Sequence, residues 1–202
     1  MRLRDLIHEA NTNIDAIGRY LDGLGTEERL AETRTLSRDD QRKLYQKAAK
    51  AEAITLEHFV PQAIAPRVAV HHDGRNTLPL LPSMKLFQKR FCRPEDGSSR
   101  LFGYNQSPFL STVGPGFFVA IPTKGNADWE ARGAIVIDYF QVPDGPVADG
   151  WPKVIPNSKG LQMFVYNGTR DFMRLVSQHV SIGAAYKGEK ALDHYFILCR
   201  DR

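Results

Sequence analysis

Between Arg67 and Arg93 the chain carries six basic side chains, Arg67, Arg75, Lys85, Lys89, Arg90 and Arg93, against a single acid, Asp73. That span is net +5 while the whole chain is +4, so the remaining residues together sum to −1. Cationic donors gathered in one short span are what an anionic ligand needs. The span predicts a site for a small phosphate- or carboxylate-bearing molecule, held by some of Arg75, Lys85, Lys89, Arg90 and Arg93. Within it, His71 and His72 precede Asp73, Gly74 and Arg75. Imidazole titrates near neutrality, so either histidine is a candidate acid or base beside the anion-holding Arg75. The competing reading is a polar turn with one exposed and one packed ring.

Other residue types extend this set. Asp138 follows Ile135, Val136 and Ile137, and a carboxylate in such company needs a partner. A cation from the basic span could supply one, making Asp138 either structural or a general base. Tyr104 and Asn105 alternate along a strand candidate and suit a pocket lining. Cys92 sits between Arg90 and Arg93, where nearby cations favour the thiolate; an inert buried thiol is the competing reading. Gly114-Pro115-Gly116 exposes backbone amides but lacks the pattern of a phosphate loop. His179 and His194 read as a core-edge and a strand residue. The expected catalytic set is therefore His71, His72 and Asp138. The expected ligand-binding set is Arg75, Lys85, Lys89, Arg90, Arg93, Tyr104 and Asn105. Neither a cofactor nor a metal is expected, and the reaction, if any, is left open.

Two other functions compete. Cations interleaved with Phe87 and Phe91 could contact phosphates and stack bases, which makes residues 83–93 a candidate nucleic-acid surface. The N-terminal helices could instead dock a partner or a second copy of the chain. The two cysteines, Cys92 and Cys199, are too few for a disulfide framework. The charged N-terminus does not resemble a signal peptide, and no run approaches the length of a membrane span. These features lead to the expectation of a cytoplasmic protein without a membrane partner.

The elements that would position these groups fall into two textures. Leu3, Ile7, Ala10, Ile14, Ile17, Leu21 and Leu24 recur in steps of three and four, the seam of one amphipathic helix. Thr26 and Ser37 offer N-caps for two further helices, and residues 1–62 read as a helical N-terminal unit. Ser83 would cap a helix carrying Met84, Phe87 and Phe91 on one face and Lys85 and Lys89 on another, and Thr169 a helix through residues 167–180. Residues 100–106, 116–123 and 133–142 are strand candidates, and residues 180–187 and 191–200 form a hairpin about Gly188-Glu189. Residues 141–160, with Pro143, Pro146, Pro152 and Pro156, predict a long irregular connection. The fold class expected is α+β: a helical unit, then residues 63–202 as a mainly antiparallel sheet with one or two packed helices.

Overall fold

The structure, a computed structural model, describes residues 2–79, 81–107 and 110–200, without the side chains of Pro82, Ser83 and Thr112. Its strands are β1 (Val70–Asn76), β2 (Leu86–Cys92), β3 (Leu101–Gln106), β4 (Phe118–Pro122), β5 (Ile135–Asp138), β6 (Thr169–Leu175), β7 (Val180–Lys187) and β8 (Lys190–Arg200). Each pairs antiparallel with the next, and β8 pairs back onto β1, with His72 opposite Arg200 and Asn76 opposite Phe196. The result is a closed barrel. This overturns the α+β expectation of a helical unit followed by a sheet, because closure leaves the sheet no edge. Two segments account for the difference. Within residues 83–93 and 167–180, expected as helices, the chain forms β2 and β6 instead. In the first, Phe87 and Phe91 lie four residues apart, a spacing that fits a helix face and a strand face equally. The cap expected from Ser83 lies on a side chain outside the described residues.

Alternation along the strands sends one side chain in and the next out. Register fixes the inward set: Val70, His72 and Gly74 face Phe91, Lys89 and Phe87, and Lys89 faces Asn105. Ile137 faces Asp171, which faces Ala185, which faces His194. Three inward glycines each oppose a phenylalanine on the neighbouring strand: Gly74 with Phe87, Gly103 with Phe118 and Gly183 with Phe196. A Cβ at Gly103 would lie 2.3 Å from the Phe118 ring, and one at Gly183 equally close to Phe196. The absent side chains are the space into which the rings fold, so the interior is filled without widening the barrel.

The N-terminal helices lie on the outside of the β7–β8 wall. The apolar seam holds at Leu3, Ile7, Ile14, Ile17 and Leu21 but not at the exposed Ala10, and it runs over two helices, α1 (Leu3–His8) and α2 (Ile14–Asp22), because the Asn13 side chain accepts from the Ala16 amide at 2.9 Å and restarts the chain. Leu3, Ile7, Ile14, Ile17 and Leu21 are buried in one cluster with Val180, Ile182, Ala184, Ile197 and Cys199 of the barrel. The chain thus covers this seam itself. Helices α3 (Thr26–Arg34) and α4 (Arg38–Lys47) complete the layer, the latter opened by Ser37 and Asp40 as a capping box. The short α5 (Leu56–Phe59) plugs one end of the barrel, where the Phe59 ring meets His72 and Phe91. The irregular connection after β5 covers the opposite wall, packing Ala148 on Cys92, Phe102 and Val119. Among the described residues no helix is long and apolar enough to cross a membrane.

Gly103→Val is expected to lower stability by about 1–3 kcal/mol through overpacking against Phe118. The urea midpoint of the variant checks this, and an unchanged midpoint would show that the ring has room to move.

Candidate functional site

The end of the barrel opposite α5 is open. Loops after β1, β3, β5 and β7 surround it, and a cavity of about 400 Å³ descends between them. Its wall is largely apolar, with Phe87, Phe196, Leu78, Val113, Val165 and Leu192 among its lining residues. Four polar side chains stand together on that wall: Lys89, Asn105, Tyr139 and Asp171. Lys89 is only 2% exposed. Its Nζ donates to Asn105 Oδ1 at 2.9 Å, to the Tyr139 hydroxyl and to Asp171 Oδ2 at 3.3 Å. Tyr139 in turn donates to Asp171 Oδ2 at 3.2 Å and accepts from Asn105 Nδ2 at 3.0 Å. The Phe118 and Phe196 rings present their faces to the ammonium, with centroids at 5.0 and 4.7 Å.

Burial sets the electrostatics of this cluster. It pushes the Lys89 amine down, opposed by the Asp171 charge, and pushes the Asp171 carboxyl up, opposed by Lys89. The two groups are drawn toward each other in proton affinity, so proton exchange between them costs less than it would in water. Tyr139 is driven well above the ordinary phenol range by burial and stays a neutral donor. Its ring stacks on Tyr166 at 5.3 Å and 18°. Nearer the mouth, His194 lines the cavity, and its Nδ1 has no hydrogen-bond partner among the described residues.

The basic span does not converge. Of its cations, Lys89 alone lines this cavity. Arg75 and Lys85 border a separate outer depression of about 250 Å³ beside Arg38, and Arg75 Nε donates to the Leu36 carbonyl at 3.1 Å. Arg90 lies on the outer wall, bonded to Gln88 Oε1 and to the Tyr104 hydroxyl. Arg93 donates to the carbonyls of Val60 and Ile64, both at 2.9 Å, and ties the plug to the barrel. Phe87 and Phe91 point into the interior, so the face of cations and aromatics expected on a helix at 83–93 does not form.

The remaining candidates separate similarly. Asn105 joins the cluster, whereas Tyr104 faces outward under Trp151 and Phe117. His71 also faces outward. His72 faces inward at the plugged end, with Nε2 3.0 Å from the Phe59 carbonyl, and does not line the cavity. Burial lowers it to about 3, so it is neutral at pH 7. Asp138 faces outward as well: it accepts from the Phe140 amide at 3.0 Å and pairs with Arg170 rather than with a cation of the basic span. Burial pushes the Cys92 thiol up to about 11, which fits the inert buried thiol and not the thiolate. The expected sets omit Asp171 and Tyr139. The usable signal is the period of two in Thr169, Asp171, Met173 and Leu175, which a helical reading of 167–180 hides.

A larger depression of about 480 Å³ lies among α1, α2 and α3, lined by Arg2, Arg4, Glu28 and Glu32, whose charges offset one another. Among the described residues no group of three or more His, Cys, Asp or Glu side chains is placed to hold a metal ion. Comparison with protein families, with curated proteins and with solved structures returns no match.

His72 and the plug residue His58 are both held neutral by burial, His58 well below its usual range. A folded-state value below the unfolded one gives stability that is full above about pH 6.5 and is lost as pH falls toward the folded value. For His72 the window runs from about 6.5 down to about 3. Each such histidine is expected to add up to about 1.4 kcal/mol of destabilisation per pH unit inside it. Urea unfolding of the wild type and of His72→Phe at pH 7 and pH 5 checks this: the variant should lose less stability on acidification, and equal losses would contradict the assignment.

Proposed function

We propose that the chain is a binding protein that takes a small, largely apolar molecule into the open barrel and meets one oxygen of it, on a carboxylate or a carbonyl, with Lys89. The observation carrying this reading is a polar cluster of four side chains at the base of a largely apolar cavity of about 400 Å³. Sites for small molecules have this form, an apolar wall with a few convergent polar groups, in volumes of roughly 300–1,000 Å³. One buried cation, already offset by Asp171, suits a single oxygen better than a multiply charged phosphate. The Asp171 contact, at 3.3 Å, is longer than the one to Asn105 and is the one most readily exchanged for a ligand atom. A carboxylate entering there leaves Asp171 to take up a proton, which its burial already favours. His194 Nδ1 offers a second polar contact nearer the mouth. The rim is itself apolar: Val165 lines the cavity, and on the same turn, α6 (Gln162–Val165), Phe164 is 74% exposed.

Ala185 faces inward between Asp171 and His194, so Ala185→Trp fills the cavity while keeping the polar cluster. Calorimetric titration with medium-chain fatty acids and 2-naphthoic acid tests the reading. At least one is expected to bind the wild type, and the variant, at comparable melting temperature, to bind it at least about tenfold more weakly. Absence of binding to the wild type across the series, or equal affinity in the variant, would overturn it.

A further inference from the structure

We propose that Lys89 captures an aldehyde or ketone covalently, as a reversible imine, within the barrel; this rests on the cavity being a ligand site. A lysine that serves only as a counter-ion needs neither an apolar vestibule nor a proton donor beside it. Lys89 has both. Its nitrogen lies on the wall of a cavity open to the outside, and Asp171 and Tyr139 lie within hydrogen-bond reach of it and of each other. Burial favours the uncharged amine, the form that attacks carbonyl carbon, and favours the protonated carboxyl, the form that can help water leave.

The step balances within the site. The Nζ lone pair adds to the carbonyl carbon, the C=O π pair moves to oxygen, and one nitrogen proton passes to that oxygen, giving a carbinolamine. Asp171 then protonates the hydroxyl, which departs as water, while the nitrogen lone pair forms the C=N bond. The products are a protonated imine on Lys89, one water and the Asp171 carboxylate as counter-ion. No oxidant, reductant or metal is consumed. The apolar wall holds the rest of the carbonyl compound and limits hydrolysis of the adduct. The faces of Phe118 and Phe196, which lie against the ammonium of the free protein, serve the iminium equally.

Reductive trapping tests this. The wild type is incubated with 2-naphthaldehyde and sodium cyanoborohydride at pH 7, then digested and mapped by mass spectrometry. The expected adduct adds the mass of the aldehyde less its oxygen and sits on Lys89. Burial lowers the amine and so raises its unprotonated fraction at pH 7, so Lys89 should label faster than the surface lysines. Asp171→Asn should slow labelling, and Ala185→Trp should protect Lys89 while leaving the surface lysines unchanged. Lys89 unmodified in the wild type, or labelled no faster than the surface lysines, overturns the proposal even if no variant is made. Calorimetry with 2-naphthaldehyde alone separates the two claims: binding without trapping retains the ligand site and removes the imine, whereas neither binding nor trapping removes both.

Discussion

Enclosing the Lys89 ammonium in a barrel interior costs several kcal/mol unless its protons are met. Here all three are, by Asn105, Tyr139 and Asp171. Those acceptors come from β3, from the residue that follows β5, and from β6, and β2 carries the lysine itself. Such distant stretches of chain reach one nitrogen only when the sheet is rolled up, so the charge and the closure depend on each other. The register that sets Lys89 against Asn105 and Ile137 against Asp171 is the register that sends the apolar side chains inward. A slip of one residue in β2 or β6 would expose both the charge and the core.

The same barrel divides its interior in two. Toward α5 it is filled, with Phe59, His72 and Phe91 in contact and the neutral imidazole tied to a backbone carbonyl. Toward the mouth the chain leaves space and lines it with Phe87, Phe196 and loop residues. The glycine–phenylalanine pairs work at this boundary, because each ring folds over an inner-face glycine on the adjoining strand. The helical layer contributes from outside, covering the β7–β8 wall opposite the cavity lining formed by Ala185, His194 and Phe196.

Much of this was legible in the sequence, and the failures have physical causes. The apolar seam of the first helices, the Ser37–Asp40 cap, the final hairpin and the long connection after β5 all follow from local rules. The face assignment in β8 follows too, with Ile197 and Cys199 toward the helices and Phe196 and Leu198 inward. Closure did not follow, because β2 and β6 carry apolar residues at spacings that serve either period. That ambiguity also misdirected the site. It placed Lys89 on a solvent face beside Lys85, and Asp171 on a helix, when they face each other across the interior. Lys89 and Asn105 follow from chemistry alone, but Arg67, Arg75, Arg90 and Arg93 anchor carbonyls and outer-wall side chains, which a count of charges along the chain cannot foresee. Asp138 and Asp171 show the same limit: both are buried acids in strands, and only the pleat decides which one looks inward.

The dependence of the barrel on its buried pair is measured most directly by a double-mutant cycle in urea at pH 7, with Lys89→Met, Asp171→Leu and the two together. Each single change leaves one charge buried without its partner and should cost about 3–5 kcal/mol, while the double variant, with an apolar pair in place, should recover most of that loss. Single losses below about 1 kcal/mol that simply add in the double variant would mean that the pair is solvated and uncoupled, and that the interior is not organised around it.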